Sequence, residues 1–232
     1  MIFSGQSTEI VKKELAKMEK PVKVLVFTSL GPDGKRKCPA CEDTAILIKE
    51  LAKMSNDKLD VKEYSITEDK DICVQYHVER IPTILFPDYG IRYTGSPIGM
   101  EAAPFLQTIV LASTSKTGVP ADMINDLKTK GKGKIIRTIV TPTCSYCPTA
   151  VLIANRVAIA SGGAVQSEII ESYEHGDLVA KYKVTGVPAV VLGKITDGKV
   201  TDDEVAFLGL PSGRGIVEKL TGHVRGIESM YT

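Results

Sequence analysis

The sequence predicts an α/β protein of two tandem modules, each a mixed central sheet flanked by helices. Three observations lead there. First, Cys38-Pro39-Ala40-Cys41 and Cys144-Ser145-Tyr146-Cys147 share a Cys-x-x-Cys spacing, and an apolar-Pro step follows each, Ile81-Pro82 and Val187-Pro188. Second, one shift relates all of these, since 144 − 38, 147 − 41 and 188 − 82 each equal 106. Third, short β-branched runs and longer amphipathic stretches alternate in the same order around both motifs. At 232 residues the chain can hold two units of roughly 100–115 residues, each burying its own core. The expected modules are residues 1–115 and 119–232, with the boundary in the Ser/Thr/Gly/Pro-rich stretch 113–120.

The first module opens with a helix over 8–20, stopped before Pro21. Residues 22–27 are an apolar run between breakers, the pattern of a buried strand. A polar, basic insertion at 31–37 leads to Cys38. From Cys41 on, Ala45, Ile46, Leu47, Ile48, Leu51 and Met54 make an apolar face at helical spacing, ended by Asn56 and Asp57. Alternation marks 59–66 as a strand, 69–77 reads as a short helix, and 83–86 is an apolar strand directly after Pro82. Asp88-Tyr89-Gly90 turns the chain into a return strand at 91–94, and a helix over 100–111 closes the module.

The second module repeats this order. A helix over 121–130 stops at Gly131-Lys132-Gly133, and a strand at 135–140 runs into the second Cys pair. The helix that follows stops at Gly162-Gly163, then come a strand at 165–171, a helix at 177–182 and a strand at 189–192. Asp197-Gly198 is a hairpin signal before a strand at 204–208 and a last helix at 214–220. Tyr76-His77-Val78 aligns with Tyr182-Lys183-Val184 under the same shift. Gly95-Ser96-Pro97 matches Gly209-Leu210-Pro211 only at 209 − 95 = 114, eight residues out of register, so the second hairpin is expected to be longer.

Formal net charge is +1, which gives no electrostatic footprint for nucleic acid or an anionic membrane. No apolar run approaches the roughly 18–20 residues of a membrane span. The first 19 residues carry Glu9, Lys12, Lys13, Glu14 and Lys17 among apolar positions, an amphipathic helix rather than a signal peptide, so a cytoplasmic location is expected. Four of five cysteines fall in two Cys-x-x-Cys pairs, unlike a secreted disulfide framework. Scarce amides, three Asn and four Gln, point to a hot-living source.

Two residues between cysteines, the first at a helix start, let the sulfurs bond without backbone movement. The unsatisfied N–H groups and positive helix end favour a thiolate there. Cys38 and Cys144 are therefore the expected nucleophiles, and Cys41 and Cys147 the resolving partners. Lys35, Arg36 and Lys37 should support the Cys38 thiolate, while Glu42 and Asp43 act in the opposite sense. No charge lies near Cys144 in sequence, where Ser145 and Tyr146 offer hydroxyls and Pro148 suits an early helical position. The two sites are expected to differ in potential.

A strand, a Cys-x-x-Cys opening a helix, a strand, a helix and a Pro before a hairpin is the thioredoxin arrangement. From about residue 22 to 220 the chain resembles the two-module, glutaredoxin- and thioredoxin-like protein disulfide oxidoreductases of thermophilic archaea and bacteria. It also resembles the N-terminal part of the flavoprotein component of alkyl hydroperoxide reductase. The resemblance implies cis prolines at Pro82 and Pro188 beside the active sites, with Ile81 and Val187 next to them in contact with substrate, and modules packed side by side. Tyr146, inside its motif, suits substrate contact and simple surface filling equally. The implied activity is oxidation, reduction and isomerisation of disulfides in client proteins. A second implied role is an electron relay between a thioredoxin-reductase-like flavoprotein and a peroxidase or reductase. No flavin or nicotinamide fingerprint is present, so no cofactor is expected beyond the disulfides Cys38–Cys41 and Cys144–Cys147.

The chain departs from thioredoxins in having no Trp, no Gly-Pro between its cysteines, and no Asp in either first strand. The acid/base group for the resolving cysteines is thus unassigned, with Glu63 and Glu168 on the second strands as candidates. A zinc site is disfavoured, because paired zinc motifs lie about 15–20 residues apart and these lie far further. Cys73 is expected to be a buried inert thiol, His77, His175 and His223 to sit on the surface or in loops, and the 35–37 basic run to be a solvated loop.

Overall fold

The computed structural model describes residue 3 and residues 5–222; His223 lies outside them. The first half contains α1 (Gln6–Leu15), β1 (Val22–Thr28), α2 (Pro39–Met54), β2 (Leu59–Ser65), α3 (Lys70–Gln75), β3 (Thr83–Phe86), β4 (Ile91–Thr94) and α4 (Ala102–Thr114). The second half repeats the order with α5 (Ala121–Lys130), β5 (Lys134–Val140), α6 (Cys147–Ala160), β6 (Val165–Glu171), α7 (Gly176–Tyr182), β7 (Ala189–Thr196), β8 (Lys199–Leu208) and α8 (Gly213–Thr221). α1 stops short of the expected residue 20. The next residues turn inward to bury Met18, and the amides of Glu19 and Lys20 bond the buried Ser113 hydroxyl instead of continuing the helix. α4 correspondingly extends to Thr114, so the expected boundary stretch begins inside a helix.

All eight strands join one sheet, in the order β2-β1-β3-β4-β6-β5-β7-β8. Each half contributes the same four-strand block, and the blocks meet where β4 pairs parallel to β6. β1 pairs parallel to β2 and antiparallel to β3, and β5 repeats this with β6 and β7. Because both blocks have the same strand order, their βαβ crossovers place α2 and α6 on the same face. A shared core confirms it, with Leu47, Ile48 and Leu51 of α2, Phe105 and Ile109 of α4, and Val151 and Ala158 of α6 in one cluster. α5 and α8 extend that layer over the second half, through Leu127, Ile216 and Val217. α3 and α7 cover the other face through smaller clusters around Phe27 and Ile170.

Polar groups are buried where the halves meet. The amide nitrogen of Asn155 donates to the Tyr93 hydroxyl and to Thr108 Oγ1, both at 2.9 Å, and its oxygen accepts from Ser167 Oγ at 2.8 Å. Thr94 Oγ1 donates to Glu168 Oε1 at 2.7 Å across the same seam. With every member partnered, such a network favours one register of β4 on β6. The second hairpin is longer than the first, as expected from the eight-residue offset, with β7 and β8 spanning 8 and 10 residues against 4 and 4.

Candidate functional site

Strand direction decides where the cysteines sit. β1, β4, β6 and β5 all point the same way, because β1 and β4 are each antiparallel to β3, and β4, β6 and β5 are mutually parallel neighbours. Cys38 and Cys144 follow the C-terminal ends of β1 and β5, so both pairs lie on one edge of the sheet. They are four strand steps apart, roughly 19 Å at ~4.8 Å per step. The four cysteines therefore do not converge on one tetrahedral set. Among the described residues, no group of three or more His, Cys, Asp or Glu side chains is placed to hold a metal.

At the first pair, Cys38 caps α2, and Pro39 follows it at the first helical position, where a missing N–H costs nothing. The Cys41 amide donates to Cys38 Sγ at 3.2 Å. Cys38 is half-buried and Cys41 fully buried, and both are thiols. Burial first, and then the contact with Cys38, push the Cys41 thiol up to about 12 against the opposing influence of Ser29. Cys41 thus holds its proton at neutral pH, as a resolving thiol does before exchange. No sequence signal marks Ser29. Its hydroxyl accepts from the amides of Lys37 and Cys38 at 2.9 and 3.0 Å and fixes the approach to the motif.

The second pair is built alike. Cys147 is buried, its amide lies 3.1 Å from Cys144 Sγ, and the two cysteines are disulfide-bonded with Cα atoms 5.5 Å apart. Pro148 occupies the first turn of α6, and Tyr146 stands exposed. Both apolar-Pro bonds, Ile81-Pro82 and Val187-Pro188, are cis. Each cis proline carbonyl accepts from a glycine amide at the end of the following hairpin, Gly95 at 2.9 Å and Gly209 at 2.8 Å, which makes the out-of-register glycines structural equivalents. Pro82 and Pro188 immediately precede β3 and β7, whose first residues pair with the ends of β1 and β5, so each lies beside its cysteine pair.

Several expectations need correction. Arg36 does not sit in a solvated basic loop. Its guanidinium folds inward, bonding Glu63 through two nitrogens at 2.6 Å and Glu42 at 2.8 Å, and its side chain is 7% exposed. Two carboxylates take up its charge, while Lys35 and Lys37 stand exposed. Glu63 is consequently no proton shuttle. Burial alone would raise its carboxyl, but hydrogen bonds from Arg36 and Thr28 hold it down at about 2. Glu168 is likewise committed, to Arg137 at 2.7 Å and Thr94. His175 sits in the loop before α7, as expected, but it is buried there, 3.5 Å from Arg80, and burial followed by that guanidinium lowers it, so the ring is neutral at pH 7. His77 is exposed, and Cys73 is a buried thiol raised by burial and Asp69, as expected.

The carboxyl that stands out is Glu101. It is 1% exposed, neither oxygen has a hydrogen-bond partner, and burial pushes it up to about 7. It ends the 3-10 turn Gly99–Glu101, which packs against α6, and the neighbouring Met100 amide bonds the carbonyl of Pro142, two residues before Cys144. A group from the first half that can trade a proton near neutrality thus lies by the second site. Sequence alone carried no signal for it, since its burial comes from the meeting of the halves.

Two thioredoxin-like blocks fused into one sheet, each with a Cys-x-x-Cys at a helix start beside a cis proline, define a thiol–disulfide oxidoreductase fold. Comparison with known proteins agrees. The thioredoxin domain family model matches residues 134–221. A protein disulfide oxidoreductase from Aeropyrum pernix superposes with a TM-score of 0.82 at 30% identity, covering 94% of this chain and 92% of that one. The alkylhydroperoxide reductase AhpF of Enterococcus faecalis shares the fold, with a TM-score of 0.79 at 19% identity over 95% of this chain and 100% of that one. A thioredoxin of Methanocaldococcus jannaschii is 27% identical over 85 residues, 37% of this chain and 89% of the relative. The chain belongs to the family of thioredoxin-fold protein disulfide oxidoreductases. No helix among the described residues is long and apolar enough to cross a membrane.

Proposed function

We propose that this protein catalyses thiol–disulfide exchange in client proteins through Cys38–Cys41 and Cys144–Cys147, in separate thioredoxin-like modules spanning residues 1–115 and 119–232. The supporting observation is that each first cysteine, half-buried just ahead of a helix, accepts a backbone hydrogen bond from its fully buried partner cysteine. In the reducing direction the Cys38 or Cys144 thiolate attacks a client disulfide. The client S–S bond breaks, one client sulfur leaves as a thiolate and is protonated, and a mixed disulfide forms. The resolving cysteine then loses its proton and attacks the first sulfur, closing the protein disulfide and releasing the second client thiol. Two electrons pass to the client, and the reverse sequence oxidises a client dithiol. Ile81, Pro82, Val187 and Pro188 line the approach.

An electron relay is the second reading, and the shared edge favours it. Pairs roughly 19 Å apart cannot exchange directly, so they serve two different partners or one mobile carrier. A thioredoxin-reductase-like flavoprotein is the proposed electron source. Refolding of a scrambled disulfide protein, with Cys38→Ser, Cys144→Ser and the double variant beside the parent, tests both. Isomerase activity lost in one single variant identifies the working site. No isomerase activity in the parent, with insulin reduction intact, moves the protein to the relay.

A further inference from the structure

The loop between β6 and α7 belongs to the second half, yet it stands against the first site. Asp177 accepts from both terminal nitrogens of Arg80, at 3.0 and 2.5 Å, and His175 Nδ1 lies 3.5 Å from the same guanidinium. Arg80 is the residue before Ile81-Pro82, the step proposed to line the approach to Cys38. Its carbonyl accepts from Thr83 Oγ1 at 2.8 Å, which closes the backbone around that step. In the same loop, Glu174 Oε1 accepts from the Ser96 amide at 2.8 Å, and Ser96 follows the glycine that bonds the Pro82 carbonyl. Ser96 Oγ in turn meets Thr44 Oγ1 at 2.9 Å, one turn after Cys41 on α2. The approach is close enough to demand glycine, since a Cβ on Gly95 would lie 2.5 Å from Glu171 Cβ. The loop also holds its own shape, because the Glu171 carboxylate accepts from the amides of Tyr173 and Glu174 at 3.1 and 2.7 Å. Topology makes the arrangement one-sided. β6 pairs with β4 beside β3, whereas the equivalent loop of the first half follows β2, the outermost strand at the far end of the sheet. The second module has Gly186 where the first has Arg80, 106 residues earlier, and so offers no side chain to hold at that position.

We propose that Asp177 of the second half is a positioning residue for the first cysteine pair, holding the Arg80–Pro82 segment where a client chain passes to reach Cys38, with Glu174 fixing Ser96 behind it. The role rests on the reading that this pair exchanges disulfides with client proteins. A lone exposed ion pair contributes little. This pair is bidentate, joins segments far apart in the chain, and acts on a backbone already closed by Thr83, so moving the guanidinium moves the step beside it. A lining held in place receives an extended client without first having to be ordered, and that favours the encounter. A small disulfide needs no lining and is indifferent to it. The chemistry is unchanged: the Cys38 thiolate attacks the client disulfide, whose S–S bond breaks, and one client sulfur leaves as a thiolate and takes up a proton. Cys41 then gives up its proton and attacks Cys38 Sγ, releasing the second client sulfur, and two electrons have passed to the client.

The test uses the full chain with the second pair silenced by Cys144→Ser and Cys147→Ser, and the first pair reduced beforehand. Single-turnover rate constants are measured for a disulfide-bonded extended peptide and for hydroxyethyl disulfide. The Asp177 side chain is 62% exposed, so Asp177→Asn is accommodated, and it should slow the peptide about threefold to fivefold, the scale of an exposed bidentate pair. Hydroxyethyl disulfide should react at the parent's rate. Asp177→Glu, which keeps a carboxylate within reach of Arg80, should recover most of the loss. Arg80→Met combined with Asp177→Asn should lose no more than Arg80→Met alone, because both break one pair. Glu174→Ala, which frees the Ser96 amide, carries the same selective expectation as Asp177→Asn. With the first pair silenced instead, by Cys38→Ser and Cys41→Ser, Asp177→Asn should leave the second pair's rates unchanged, although Asp177 belongs to that half. An Asp177→Asn protein that matches its parent on the peptide, or loses equally on hydroxyethyl disulfide or at the second pair, overturns the positioning role, as do additive losses in the double variant. A parent that leaves the peptide disulfide intact overturns client exchange at the first pair, and the positioning role with it.

Discussion

Replacing Glu101 by Gln gives a protein whose stability advantage grows with pH. The folded chain raises this carboxyl from 4.5 to about 7 by burial alone. A raised folded value means the native state holds the proton more tightly than the unfolded chain does. The associated stability is complete below about pH 4.5, is lost progressively up to about pH 7, and is absent above. The gap between the unfolded and folded values, at 1.36 kcal/mol per tenfold change in proton affinity, gives a ceiling of about 3 kcal/mol, and relaxation around the carboxylate brings the expectation to about 2–3 kcal/mol. Gln is the right comparator, because it matches the protonated acid in shape and shares its unmet hydrogen bonds. Guanidinium unfolding of both proteins at pH 4, 6 and 8 isolates the effect, since other titrating groups cancel in the difference. The two should agree within about 0.5 kcal/mol at pH 4, with Glu101→Gln ahead by about 2–3 kcal/mol at pH 8. A difference that does not change with pH would refute the claim that this carboxyl is buried without a partner.

Three further outcomes are expected. Arg36→Met leaves the Glu63 carboxylate with Thr28 and the exposed Lys49 alone and should cost about 3 kcal/mol at pH 7 by urea unfolding; because Glu63 is depressed to about 2, the parent should lose this advantage as pH falls from about 4.5 toward 2, closing the gap with the variant. Asn155→Leu removes three buried partners at the seam and should cost about 2–4 kcal/mol, read by the same unfolding; a cost below about 0.5 kcal/mol would show that the network contributes nothing to joining the halves. The two sites should differ in reduction potential, measured by glutathione equilibration of Cys41→Ser and Cys147→Ser proteins, each leaving one complete pair; equal constants would contradict the different surroundings of Cys38 and Cys144.

β3, β4, α5 and β6 begin and end where their sequences place them, because each is a short apolar run or amphipathic stretch closed by a local breaker such as Pro82, Gly90 or Gly131. The structure departs from the local pattern where a distant partner intervenes. α1 yields its last turn to Ser113, which lies far along the chain on α4. Arg36 reads as a loop cation, and only the fold brings β2 beside β1 to offer it Glu63. Glu63 and Glu168 look alike in sequence as carboxylates on second strands, yet both are consumed by ion pairs, while the carboxyl that burial raises toward neutrality, Glu101, is one that no motif marks.

The sequence by itself determined the tandem repeat, the two cysteine pairs and the prolines beside them, because spacing along a helix start is a local property that a few residues specify. The tertiary structure alone decided that the sheets merge through β4 and β6 and that both pairs share one edge. It also decided that a loop of the second half stands against the Ile81-Pro82 segment of the first site. Those features depend on which strand ends up internal and which outermost, and strand order is set by burial summed over the whole chain rather than by any segment of it.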